Sequence, residues 1–142
     1  STSKTHCEVG FNYGMSAAVA LCMPGVRVFS WDLASDPLYI EDPPVSAFAA
    51  GYLKARFPDS FRITFGDSRV TLPGAGEVLG RQLCNSIFID GDHVPEAVRG
   101  DLLNFMNVSA PGAVFIIDDC WLGNVLYKVA EWAMGLFRFV WD

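Results

Sequence analysis

Five short apolar runs, at residues 6–9, 26–31, 61–65, 86–89 and 113–117, constrain this chain more than any other feature. Each is continuous rather than alternating, and each stops at a glycine or an aspartate. Alternation marks a strand with one wet face, whereas continuity marks burial on both faces. Between the runs lie stretches with helical period, at residues 15–23, 45–57, 96–106 and 124–134, bounded by proline or glycine. Residues 73–83 are ambiguous, because their glycines permit either a short helix or a loop. Strand starts recur at roughly the spacing of a βαβ unit, about 20 to 35 residues. Strands buried on both faces and alternating with helices predict an α/β fold, a doubly wound, mainly parallel Rossmann-like sheet.

Composition narrows the class further. The chain has 142 residues, 51% of them apolar and 13% aromatic, which is too rich in core-forming side chains for intrinsic disorder. No repeat or linker divides it, so residues 1–142 are expected to form one domain. The apolar run at residues 17–23 ends at Pro24-Gly25 and is too short to span a bilayer, so no membrane association is expected. A net charge of -6 with scattered basic residues argues against nucleic acid as a partner and favours small molecules and cations. The first residues carry no basic and apolar leader, which predicts a cytoplasmic protein. Cys7, Cys22, Cys84 and Cys120 lie far apart and lack the spacing of a zinc site. Three of them sit in apolar stretches and are expected as reduced, buried thiols, a disulfide being the alternative.

Open α/β sheets bind ligands beyond the carboxyl ends of their strands, near the point where strand order reverses. The residues that follow each apolar run are accordingly the candidate site. After the first comes EVGFNYGMSA, in which Gly10 and Gly14 permit close backbone approach and Glu8 is an acid inside an apolar strand. The second run ends at Asp32, about twenty residues after Gly10, the distance at which a carboxylate accepts ribose hydroxyls. The third ends in Gly66-Asp67-Ser68, where Asp67 could bond an exocyclic amine. For both aspartates a helix or turn cap is the competing assignment. The fourth run leads into Asp90-Gly91-Asp92-His93 and the fifth into Asp118-Asp119. Asp90, Asp118 and Asp119 would gather at two adjacent strand ends, where like charges oppose ionisation unless a cation intervenes. Oxygen ligands favour Mg²⁺, Ca²⁺ or Mn²⁺, while Asp92 and His93 stand where a base would be needed.

Taken in order, EVGFNYGMSA, WDL, FGDSRVTLP, FIDGDH and PGAVFIIDD resemble the class I S-adenosylmethionine-dependent methyltransferases. The D-G-x-H element after the fourth run is similar to the branch that contains metal-dependent sugar and small-molecule O-methyltransferases. The resemblance implies that Glu8, Gly10 and Gly14 line the methionine part of S-adenosylmethionine. Asp32 would hold the ribose with Leu33 beside the adenine, and Asp67 and Ser68 would meet the adenine edge. Asp90 would contribute to the cofactor site and, with Asp118 and Asp119, would bind Mg²⁺. Asp92 and His93 would be catalytic, taking the proton of a small-molecule acceptor.

Relatives end their sheet in an antiparallel hairpin and carry a segment before the first strand. Here residues 136–141 could begin the sixth strand, so the hairpin is expected to be incomplete or missing and the chain to be a fragment or a minimal domain. Trp121, Trp132, Phe137, Phe139 and Trp141 would then be core or a homodimer contact. Two other functions compete with O-methylation of a small molecule. One is a non-catalytic, truncated methyltransferase-like binding module. The other is a metal-dependent glycosyltransferase reading Asp90-Gly91-Asp92 as D-x-D, which leaves Glu8 and Asp32 without a role.

Overall fold

The buried runs become five strands, β1 (Lys4–Val9), β2 (Val26–Asp32), β3 (Phe61–Phe65), β4 (Cys84–Ile89) and β5 (Ser109–Ile117). All pair in parallel in the order β3-β2-β1-β4-β5. The structure is a computed structural model that describes residues 4–33, 45–120, 129, 132 and 133. The helical segments are α1 (Met15–Leu21), α2 (Val45–Arg56), α3 (Ser68–Thr71), α4 (Ala75–Leu79) and α5 (Pro95–Met106). The ambiguous stretch thus resolves into a 3-10 turn at Leu72–Gly74 running into α4, and α3 before it adds a helical turn that the periodicity did not indicate. The expected sixth strand and most of the last helix lie outside the described residues.

Helices cover the two faces unequally. On one face Phe11, Ala17, Leu21, Val28, Ala50, Leu53 and Phe61 pack α1 and α2 against β2 and β3. On the other, α4 and α5 place Leu79, Val98, Leu102 and Phe105 against Val9, Trp31, Ile87 and Ile89. Phe105 meets the Trp31 indole edge-on at 5.7 Å between ring centroids, the geometry favoured by aromatic quadrupoles. β5 departs from the expected two-sided burial. Its exposure alternates, with Phe115 and Ile117 turned to the core while Val114 and Ile116 are exposed. Phe88, Ile116 and His6 line an open apolar groove of about 400 Å³ beside α1. No helix among the described residues is long and apolar enough to cross a membrane.

The thiol assignment needs correction. Cys7 and Cys84 form a disulfide between β1 and β4, with Cα atoms 5.7 Å apart. Both are fully buried in the larger core cluster, where two thiols on neighbouring strands come within bonding reach. Apolar context indicated their burial but not that they would meet. The bond spans 77 residues. Closing so long a loop restricts the unfolded chain by about 4 kcal/mol on the chain-entropy account. The Cys7→Ala/Cys84→Ala double variant should lose stability of that order in denaturant titrations. Alkylation of the unfolded wild type before and after reduction should differ by two cysteines.

Candidate cofactor and active site

Register brings the strand ends level. Val9 lies opposite Trp31 on one side and Ile89 on the other. Asp32 lies opposite Phe65, and Ile89 opposite Ile117. The residues that follow continue the ladder: Gly10 N donates to Trp31 O, Asp90 N to Val9 O, Gly66 N to Asp32 O and Asp118 N to Ile89 O, all at 2.8–3.0 Å. β2 and β3 extend from β1 to one side and β4 and β5 to the other. The reversal of strand order therefore falls between β1 and β4, where such sheets open a crevice.

Gly10 sits at that reversal with φ +89°. A Cβ on it would lie 1.8 Å from the Asp90 carbonyl oxygen. Its bareness therefore serves the approach of one loop backbone to the next, a closer constraint than the ligand approach expected. Gly14 caps α1 in the left-handed region, where a Cβ would strike the Phe11 ring. Asn12 N donates to Asp32 Oδ2 at 2.8 Å, which ties the glycine loop to the end of β2. Leu33 follows, exposed.

Glu8 is fully buried inside the sheet. Its Oε1 accepts from Ser30 Oγ at 2.7 Å, and its Oε2 lies 3.5 Å from His6 Nε2. His6 Nδ1 is in turn 2.9 Å from Ser86 Oγ. Glu8 thus belongs to a polar chain crossing β2, β1 and β4, and Ser30, His6 and Ser86 are partners that sequence reasoning missed. Ser30 and Ser86 carried a usable signal as polar breaks within apolar strands.

Asp67 takes the capping role named as its alternative. Its carboxylate accepts from Arg69 N at 2.9 Å and from the Arg69 guanidinium at 2.6–3.1 Å. The Arg69 side-chain hydrogen bonds hold the Asp67 carboxyl below its ordinary range. Asp92 Oδ1 accepts from Val94 N at the entry to α5. Asp92 thus braces its own turn while Asp90 faces His93.

Asp90 and Asp119 flank an imidazole, and Asp118 is next to Asp119 in the chain. His93 Nε2 lies 3.7 Å from Asp90 Oδ1, and His93 Nδ1 lies 3.3 Å from Asp119 Oδ2. Asp118 Oδ1 accepts from the N–H of Asp119, whose φ is +54°. Burial, then the Asp118 charge, raises the Asp90 pKa, and His93 partly opposes this. Burial first, then Asp118 and Asp119, raises the Cys120 thiol pKa as well. Mg²⁺ demands oxygens at about 2 Å in near-octahedral array. Among the described residues no three His, Cys, Asp or Glu side chains are placed to hold a metal ion. The donor set as arranged does not fit the expected Mg²⁺ centre, because a histidine stands between two of its three carboxylates.

One further acid went unread. Asp101 on α5 is 1% exposed, and neither carboxylate oxygen has a hydrogen-bond partner among the described residues. Its signal was its place in the apolar stripe of Val98, Leu102 and Phe105, since residues 98, 101, 102 and 105 follow the spacing of one buried helix face.

A parallel sheet with its reversal between β1 and β4, flanked by a glycine loop and an acid ending β2, defines a Rossmann-like α/β protein. The family model of a methyltransferase domain matches residues 7–120, and the chain belongs to that family, within the class I S-adenosylmethionine-dependent methyltransferases. The fold is shared with CalS11, a TDP-rhamnose 3'-O-methyltransferase of calicheamicin biosynthesis, at TM-score 0.67 and 15% identity over 94% of this chain. It is also shared with a putative caffeoyl-CoA O-methyltransferase from Staphylococcus aureus, at 0.61 and 19% over 96%. Human methyltransferase-like protein 13 in complex with S-adenosylhomocysteine matches at 0.62 and 17% over 97%. The chain spans 62%, 57% and 64% of these three proteins. A search of curated proteins finds no match.

The Gly10 contact generates a direct expectation. Gly10→Ala must displace the Asp90 carbonyl and strain a positive φ, so it should cost at least about 2 kcal/mol. Thermal unfolding of the variant beside Gly74→Ala, where a Cβ meets nothing within 4 Å, checks it.

Proposed function

We propose that the chain is an S-adenosylmethionine-dependent methyltransferase acting on an oxygen nucleophile of a small molecule. The observation that carries this reading is the joining of the glycine loop to Asp32 through the Asn12 N–H at 2.8 Å, beside the β1–β4 reversal. The residues suit the cofactor by chemistry: a carboxylate at the end of β2 offers acceptors for ribose hydroxyls, and an acidic surround suits a cationic ligand. Family membership and the S-adenosylhomocysteine held by human methyltransferase-like protein 13 support the same choice.

When bound, the cofactor supplies a methyl group already activated on a sulfonium sulfur. What remains for the protein is alignment of the acceptor and removal of its proton. We assign the second task to His93. Its side chain is 57% exposed at the crevice, and Asp90 and Asp119 flank opposite ring nitrogens. They offer partners for the charge it gains with a proton. Asp92, committed to its turn, is the weaker base. No step is assigned to a divalent metal, since the carboxylates are not arranged to hold one.

Calorimetric titration with S-adenosylhomocysteine tests the reading. Sub-millimolar binding by the wild type should weaken about tenfold or more in Asp32→Ala, the loss expected when hydrogen bonds to a charged group are removed. Affinity should be the same with Mg²⁺ and with a chelator. A wild type that binds no S-adenosylhomocysteine would overturn the assignment.

A further inference from the structure

We propose that α1 and the trough beside it over β4 and β5 form a two-fold dimer surface, on which a second copy of this chain seats its own α1. Parallel sheets of this kind bury both faces, and the continuous apolar runs of β4 and β5 suit that burial. Yet on the α1 side Val114 and Ile116 stay 59% and 51% exposed. Ile116 lies opposite Phe88, Val114 opposite Ser86, and Ser86 opposite His6, so these residues form the floor of one trough. Its wall is the flank of α1. Met15 and Val19 on the helix and Met23 just beyond it follow one another every fourth residue and are 60–71% exposed. Ridge and floor together enclose the open apolar groove of about 400 Å³.

Two observations select a second copy as the occupant. The first is relief. A ridge beside a trough on one surface is complementary to itself under a two-fold rotation, which sets each ridge in the other copy's trough. The α1 of one copy then supplies the helix that β4 and β5 of the other lack. The second is charge. Copies of net charge -6 repel, so they can meet closely only where neither presents a charge. α1, β4 and β5 contain no Asp, Glu, Lys or Arg. His6 is the one titratable side chain lining the groove, and its Nε2 is turned towards the buried Glu8. An acidic or basic partner segment would find no counter-charge on this surface, whereas an identical neutral surface leaves no charge unpaired. The exposed Phe48 and Tyr52 of α2 differ in this respect, because Lys54 and Arg56 follow them on the same helix.

The surface is modest, a seven-residue helix and a two-strand trough. Stable interfaces bury about 800 Å² on each partner, so the association is expected to be reversible. Exposed methionines at Met15 and Met23 suit such a contact, since an unbranched thioether side chain adapts to the surface it meets.

Sedimentation equilibrium of the 142-residue chain, without ligand, tests the proposal independently of the cofactor reading. The wild type should pass from monomer to dimer between about 1 and 200 µM. Val19→Lys on the ridge and Ile116→Glu in the trough should each weaken association about tenfold or more, because each buries a lone charge in an apolar contact. Mixed in equal amounts, these two variants should regain the dimer. The introduced ammonium of one then meets the introduced carboxylate of the other, and the second half of the contact stays apolar. Phe48→Glu should leave the equilibrium unmoved. Thermal melts by circular dichroism establish that each variant is folded, and Met23→Lys takes the place of Val19→Lys should that variant not fold. A wild type still monomeric at about 200 µM overturns the proposal, including when its groove takes up an anilinonaphthalene sulfonate dye as a small-ligand site would. A dimer that survives both charged variants, that is lost in Phe48→Glu, or that the mixture fails to restore overturns it equally.

Discussion

Two loop backbones meet where β1 and β4 end, and the site is organised around that contact. Gly10 turns with positive φ against the Asp90 carbonyl, at a distance that leaves no room for a side chain. The approach follows from topology: β1 is central, β2 departs to one side and β4 to the other, so their exit loops must part from one seam. With the strands in register, Asp32, Gly66, Asp90 and Asp118 emerge at the same level and continue the ladder by their own N–H or C=O groups. Backbone pairing thus positions the polar residues before any side chain acts. A bulkier residue at Gly10 would push the glycine loop from Asp90 and disturb the bond from Asn12 to Asp32.

Beneath the seam, unlike interactions hold the same strands together. The Cys7–Cys84 bond joins β1 to β4 in the larger core cluster. The chain Ser30, Glu8, His6 and Ser86 crosses β2, β1 and β4. A carboxylate fully buried in a sheet is costly without partners; Ser30 donates to Oε1, and His6 Nε2 stands 3.5 Å from Oε2. Its burial also explains why an acid interrupts an apolar strand without serving as a surface charge.

The strands were legible because burial on both faces leaves continuous apolar runs, and their carboxyl ends because Gly or Asp stops each one. β5 was less so. Val114 and Ile116 are apolar yet exposed, and composition cannot distinguish a covered valine from an uncovered one. The level placement of Asp32, Asp90 and Asp118 at the strand ends followed from topology, since strand adjacency decides which tips share a rim. The diversion of Asp67 to Arg69 and the wedge of His93 between Asp90 and Asp119 depend on side-chain rotamers that motif spacing does not encode. The disulfide was hidden for a related reason: burial can be read along the chain, but contact between thiols 77 residues apart requires the sheet order.

The acids of the rim divide into two groups with opposite surroundings. On the α3 side Asp67 and Asp92 act on Arg69, whose guanidinium is already matched by Asp67. On the β5 side Asp90, Asp118 and Asp119 share His93, a cation only when protonated. Both groups leave negative charge uncompensated by described residues, in a chain of net charge -6. On the proposed function, transfer of the methyl group turns a sulfonium into a neutral thioether. A charge pair at about 4 Å is worth about 1 kcal/mol in water and more in a partly dry crevice. The rim consequently favours the charged donor over the spent one by a term that vanishes with the reaction, which aids exchange of product for cofactor. The Asp90 pKa, raised by burial and by Asp118, limits that preference at low pH, where a protonated carboxyl no longer distinguishes the two.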